Sequence, residues 1–94
     1  MTAPAASDGM LTRSTKGPAA VAFTLDRQSS VTLAIYDVAG RNVRRVPLGV
    51  LSAGPHSIEW DGRDDRGRAV ANGVYLTRID AGGRLMAGRL VLAR

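Results

Sequence analysis

Apolar and polar residues alternate along most of this chain with a period of two, which is typical of half-buried β-strands. The alternation is clearest over residues 31–37, where Val31, Leu33 and Ile35 fall on one face and the residues between them fall on the other. Strands are predicted wherever this period holds, which includes segments 19–25, 31–37, 42–46, 56–60, 73–80 and 84–92.

Short runs of turn-forming residues separate these strands. Residues 37–41 are predicted to close a hairpin, with the Asp37 carboxylate accepting bonds from nearby amides and Gly40 taking a positive φ. Pro47 interrupts the return strand, which only an edge or a bulge tolerates. Residues 61–72 are too rich in turn formers to be helical and predict a surface loop. Strands recurring about every 8 to 12 residues without a helix predict an all-β antiparallel sandwich or barrel, and a sandwich is favoured.

The apolar faces predict one core, preceded by a flexible segment. Trp60 shares a strand face with His56 and Ile58, so this single tryptophan is expected to anchor the core. Residues 1–18 lack a sustained apolar period and end at Gly-Pro, which predicts a flexible arm or linker ahead of a domain at 19–94. The predicted core is Phe23, Leu25, Leu33, Ile35, Ile58, Trp60, Tyr75, Ile79 and Leu90.

Three short motifs, taken in their order along the chain, resemble a known family. They are Ile-Tyr-Asp at 35–37 with Gly40, Trp-Asp-Gly at 60–62, and Gly-Val-Tyr at 73–75. Together they resemble the Ig-like domain of the flagellar hook-capping protein, and they are similar to C-terminal sorting domains of the type IX secretion system. The resemblance covers about residues 19–94. It implies an Ig-like antiparallel β-sandwich of about seven strands.

The resemblance also implies a function without catalysis. We expect a structural or interaction module, used as a C-terminal accessory domain of an exported or surface-assembled bacterial protein in secretion, anchoring or assembly. Its partner would be a protein, and its location extracellular or at the cell surface, although the first ten residues lack the features of a signal peptide. An alternative is a self-assembling subunit, in which residues 10–18 add as a strand to an open sheet edge of a neighbouring copy.

Composition and charge narrow the chemistry further. The chain has 94 residues, no cysteine and a net charge of +5. A domain of this size has little room for a deep cleft, and the absence of cysteine excludes thiolate metal sites and disulfides. His56 is the single histidine and no serine lies in a nucleophile elbow, so no enzyme is predicted. The basic charge lacks the exposed aromatic residues that usually accompany nucleic-acid binding, and no apolar run approaches the ~18 residues of a membrane span.

Two groups of polar residues are candidate sites. Asp61, Asp64 and Asp65 supply the carboxylate oxygens that calcium prefers, but their spacing departs from the EF-hand and neighbouring arginines neutralise them. No cofactor is therefore predicted, and calcium or glycan binding stays an alternative. The candidates for protein interaction are exposed by prediction and mixed in charge; they are Arg41, Arg44, Arg45, Asp64, Arg66 and Arg68.

Overall fold

The computed structural model describes residues 9–13, by their backbone alone, and residues 19–93. These residues form strands joined by turns and loops, and none belongs to a helix long and apolar enough to cross a membrane. In chain order the strands are β1 (Gly9–Arg13), β2 (Ala19–Leu25), β3 (Ser29–Tyr36), β4 (Asn42–Leu51), β5 (Gly54–Trp60), β6 (Gly73–Ala81) and β7 (Arg84–Leu92).

The strands form two antiparallel sheets that pack against each other. Sheet A has the order β1-β2-β5, and sheet B has the order β4-β3-β6-β7. Strands β1 and β2 both contact β7 across the two sheets, and the buried side chains of both sheets form one cluster. The predicted all-β antiparallel sandwich of about seven strands is confirmed.

The core consists of the inward-facing residues of both sheets, as the alternation predicts. Every residue of the predicted core is buried except Ile58, which is half-buried. Ile58 belongs to β5, which has a partner strand on one side only, so its inward face is partly open. Further buried residues are Ala19, Val21, Val31, Gly62, Thr77, Ala81 and Leu92, together with Ala34, which is not part of the core cluster.

Strand β1 lies within the predicted arm. Residues 9–13 pair with β2, with Met10 opposite Phe23 and Thr12 opposite Val21. In these five residues the structure differs from the flexible arm that we predicted. The reason is that β2 has a second edge with backbone groups to satisfy, and a short segment can do so without a long apolar pattern. The rest of the predicted arm, residues 1–8 and 14–18, lies outside the described residues, so the boundary at 18/19 stays a prediction.

Strand β4 is an edge strand with a bulge, as Pro47 predicts. Its pairing with β3 shifts between Val31, which faces Gly49, and Thr32, which faces Pro47. Leu48 is therefore the extra residue on the β4 side. Because proline has no N–H to donate, this edge position accommodates it without loss of a ladder bond.

Candidate functional site

The β3–β4 hairpin loop closes through the side chain of its first residue. Asp37 Oδ1 accepts hydrogen bonds from the backbone N–H groups of Ala39, at 2.9 Å, and Arg41, at 3.0 Å. The Asp37 N–H donates to the Arg41 carbonyl at 3.0 Å, and the Gly40 N–H donates to the Asp37 carbonyl at 2.9 Å. Arg41 Nε completes the loop by donating to Asp37 Oδ2 at 3.0 Å. The predicted roles of Asp37 and of Gly40, with φ +86°, are confirmed.

The β5–β6 loop contains the same construction, because Asp-x-x-Gly-Arg occurs at 37–41 and again at 64–68. Asp64 Oδ1 accepts the N–H groups of Arg66 and Arg68, both at 2.9 Å. The Asp64 N–H donates to the Arg68 carbonyl at 2.8 Å, and Gly67 N–H donates to the Asp64 carbonyl at 2.9 Å. Arg68 Nε donates to Asp64 Oδ2 at 3.3 Å. The repeated spacing is visible in the sequence, although we did not predict the second turn from it.

These hydrogen bonds lower the pKa of both aspartates. For Asp37 the main cause is the backbone N–H of Arg41, opposed by desolvation and reinforced by the Arg41 side chain. For Asp64 the main cause is the backbone N–H of Arg68, again opposed by desolvation. All of the donors favour the charged carboxylate, so each loop keeps its geometry best when its aspartate is ionised.

The β5–β6 loop lies on the free edge of β4. The Asp65 N–H donates to the Val43 carbonyl at 3.0 Å, and Asp65 Oδ1 accepts the Arg45 N–H at 3.1 Å. Asn42 Nδ2 donates to Asp65 Oδ2 at 3.3 Å. One residue therefore supplies the donor and the acceptor that a neighbouring strand would offer, and it joins the loop to β4.

Both ends of the same loop are tied to core aromatic residues. Trp60 Nε1 donates to the Arg63 carbonyl at 2.9 Å, and the Tyr75 hydroxyl donates to the Ala71 carbonyl at 2.6 Å. The two rings meet edge to face, with centroids 5.2 Å apart. The Val70 N–H also donates to the Gly62 carbonyl at 2.9 Å. These hydrogen bonds hold both ends of the loop against the core, and we call the β3–β4 and β5–β6 loops the braced loops.

The structure divides the predicted interaction residues between surfaces. Arg41 and Arg68 are exposed on the two loops, each paired with its own aspartate, and Arg66 is exposed beside Arg68. Arg44 and Asp64 are half-buried instead of exposed. Arg44 points into the space between the sheets, where its Nη1 donates to the Asp64 carbonyl at 3.5 Å, and the Asp64 carboxylate is enclosed by its own loop.

Arg44 and Arg45 are neighbours in β4 and point to opposite faces of sheet B. Arg44 lines a groove of about 250 Å³ on the open side of the sandwich, together with Val46, Ile58 and Trp60. Arg45 lies on the outer face of sheet B with Thr32, Ala34 and Tyr36. The six predicted residues therefore do not form one patch.

The predicted calcium ligands are engaged with backbone N–H groups. Asp61 Oδ1 accepts the Arg63 N–H at 3.0 Å, and Asp64 and Asp65 accept the bonds described above. Within residues 19–93, no three His, Cys, Asp or Glu side chains are gathered in a group that could hold a metal ion. Calcium binding stays an untested prediction.

Comparison with known proteins places this geometry in a family. The model of the FlgD Ig-like domain matches residues 7–84. The basal-body rod modification protein FlgD of Salmonella typhimurium is 41% identical over 66 residues, which cover 67% of this chain and 28% of the Salmonella protein. A solved structure of FlgD from Pseudomonas aeruginosa has a TM-score of 0.64 and 28% identity, and the match covers 86% of this chain and 64% of that one.

A second solved structure shares the fold alone. Dimeric latent PorU from Porphyromonas gingivalis has a TM-score of 0.73 and 22% identity, and the match covers 92% of this chain and 9% of that one. The chain thus spans less than two thirds of the length of each relative described here. FlgD proteins are structural proteins and not enzymes, in agreement with our prediction. Because the family model matches most of its length, the chain belongs to the FlgD Ig-like domain family.

Proposed function

We propose that this chain is the Ig-like module of a FlgD-type protein and acts, without catalysis, in the assembly of the flagellar hook outside the cytoplasmic membrane. The observation that carries the proposal is the family match over residues 7–84, with 41% identity to the Salmonella protein over 66 residues. The module would work by binding other proteins of the growing structure. The predicted setting in an exported or surface-assembled bacterial protein belongs to the same proposal.

The braced loops suit a protein-binding role. Because Asp37 and Asp64 close their loops locally, Arg41, Arg66 and Arg68 are presented at defined positions and lose little conformational freedom on binding. A rigid scaffold with exposed loops is a common arrangement for recognition.

A domain exchange tests this function. The matched segment of Salmonella FlgD would be replaced by the corresponding residues of this chain, and swimming and hook formation would be measured in cells lacking their own FlgD. We expect the exchange to restore swimming, whereas the same exchange carrying Trp60→Ala should not, because its core is damaged. An exchange protein that accumulates normally, resists protease and still forms no hooks would contradict the proposal.

Strand β1 favours self-assembly as a second candidate function. It occupies the outer edge of sheet A, and residues 9–13 of a second copy would present the same backbone groups to β2. Light scattering over a wide concentration range, on the full chain and on a chain that starts at Pro18, distinguishes the two candidates. Oligomers that require the first 17 residues would establish strand exchange, and a constant monomer mass for the full chain would rule it out.

A further inference from the structure

The outer face of sheet B carries a regular row of side chains that is separate from the side-chain contacts of the two loops. In β3, Leu33 and Ile35 point into the core, whereas Thr32, Ala34 and Tyr36 point outward. Residues directly opposite each other on paired strands share a face. The pairing therefore defines a row across the sheet, which runs Arg45, Ala34, Arg78, Ala87.

Long and short side chains alternate along this row and leave two depressions. The first, of about 190 Å³, lies over Ala34 between Arg45 and Arg78. The second, of about 360 Å³, lies over Ala87 and Gly88 on the other side of Arg78, with Leu76 in its wall. Tyr36 and Arg78 line both depressions and form the ridge between them.

The ridge is held in place by an aromatic contact. The Arg78 guanidinium lies over the Tyr36 ring, 5.6 Å from its centroid. Neither Arg78 nor Arg45 pairs with a carboxylate in the part of the chain that the structure describes. On the described strands of this face, three basic residues, Arg45, Arg78 and Arg89, lie with one acid, Asp80, so the strands contribute a positive charge.

Exposed apolar side chains surround these cations. Leu76 and Leu85 are 40% and 60% exposed, and Val74 and Val91 are 40% and 51% exposed. Apolar patches rimmed by charge mark protein interaction sites, and binding hot spots favour tyrosine and arginine at their centre. Most of the large hydrophobic residues that the described chain exposes lie on this face.

We propose that the outer face of sheet B binds an acidic amphipathic helix of another protein. One strand, β3, lies between Arg45 and Arg78, so the two residues are two inter-strand spacings apart, a distance of about 9.6 Å. Residues i and i+7 of a helix are about 10.5 Å apart, so two carboxylates with this spacing reach both arginines. Apolar residues at i+4 and i+11 then lie over the depressions at Ala34 and Ala87. The proposal rests on the proposed function in that the partner is a protein.

Charge decides between this partner and the other occupants of such a face. Two copies of the face would bring Arg45 and Arg78 of each copy against the same arginines of the other, so a symmetric dimer through this face is disfavoured. An anionic membrane would satisfy the charges, but it would make no use of side-chain-sized depressions at a helical spacing. The acidic helix uses both features.

A synthetic helix tests the proposal directly. The probe is an alanine-based peptide of about 16 residues with Glu at i and i+7 and Leu at i+4 and i+11, and a matched peptide carries Gln in place of Glu. Binding to the full chain would be followed by amide chemical shifts in NMR spectra. Arg78→Ala removes the ridge without touching the core, and Arg27→Ala removes an exposed charge from the turn between β2 and β3 as the control.

We expect saturable shifts at Ala34, Tyr36, Arg78 and Ala87. The affinity should be about fivefold or more weaker for Arg78→Ala and for the Gln peptide, and unchanged for Arg27→Ala. Equal affinity in Arg78→Ala, shifts confined to the loops, or no saturable binding at millimolar peptide would overturn the proposal. The same shifts with vesicles of phosphatidylcholine and phosphatidylglycerol, without a response to the peptide, would assign the face to a membrane.

The domain exchange keeps the two proposals separable. If the exchange restores swimming and Arg78→Ala changes neither swimming nor peptide binding, the surface proposal fails and the proposed function stands. If the exchange fails to restore swimming while Arg78→Ala weakens peptide binding, the proposed function fails and the surface proposal stands.

Discussion

Replacement of Trp60 separates the contribution of core packing from that of the bond that ties the loop. Trp60 is 3% exposed, meets Tyr75 edge to face and donates from Nε1 to the Arg63 carbonyl. A buried aromatic side chain of about 200 Å² at roughly 25 cal/mol per Å² gives an upper limit of about 5 kcal/mol for truncation. Because Trp60 also lines the open groove, water can enter the space left behind. We therefore expect Trp60→Ala to lower the free energy of unfolding by about 3–4 kcal/mol.

Trp60→Phe keeps most of the apolar area and removes the donor. The Arg63 carbonyl lies in an exposed residue and can be hydrated, so the lost bond costs about 1 kcal/mol, and the whole change about 1–2 kcal/mol. Arg45, whose N–H is held by Asp65 of the same loop, should then exchange its amide hydrogen faster.

Urea unfolding followed by far-UV circular dichroism measures both variants, since neither retains tryptophan fluorescence. Val38→Ala is the matched control, because Val38 is 74% exposed and should change stability by no more than about 0.5 kcal/mol. A cost below about 1 kcal/mol for Trp60→Ala would refute its place as the core anchor. Equal costs for the Ala and Phe variants would show that the loop bond, and not packing, dominates.

Three further predictions concern the loops and β1. In the folded protein the pKa of Asp37 and of Asp64 lies below the ordinary 3.8. The stability that the two ionised carboxylates give the fold is therefore present above that pH and is lost as the pH falls through the folded pKa values. Tm should fall on acidification, and it should fall less in a variant in which both residues are Asn. Gly40→Ala should cost about 1 kcal/mol in urea unfolding, because φ is +86° and nothing lies within 4 Å of the added methyl group, whereas no loss would contradict the left-handed turn. Calcium should leave Tm unchanged, since the loop carboxylates accept amide bonds, and a rise that EDTA reverses would establish a site.

The alternation of apolar and polar residues was enough to predict most of the strands and their buried faces. The exceptions are explained by contacts between strands that are distant in the sequence. Alternation predicted the inward faces of β3 and β6 because their neighbours on both sides fix one buried face. Ile58 departs from full burial because β5 is an edge strand, and strand order is not encoded in the period of one segment. Strand β1 has only five residues, which is too short for a clear alternating pattern. Its pairing with β2 depends on the open edge of β2, which the sequence of β1 does not reveal.

The site shows the same division between local and distant effects. The capping of the first loop by Asp37 was predictable because all its partners lie within four residues. The position of Asp65 against Val43 and Arg45 was not, because these contacts join segments about twenty residues apart. The opposite directions of Arg44 and Arg45 follow from strand geometry, and our grouping of them by sequence proximity overlooked it.

The contact of Asp65 with β4 affects how copies of this protein associate when they are packed closely together. An uncovered edge strand accepts almost any extended chain, because backbone groups carry no information about identity. Asp65 occupies the Val43 carbonyl and the Arg45 N–H, and Pro47 further along withholds a donor. Closely packed copies are thereby hindered from pairing edge to edge through β4. Binding along this edge then depends on side chains, which differ from one protein to the next and so can be selective.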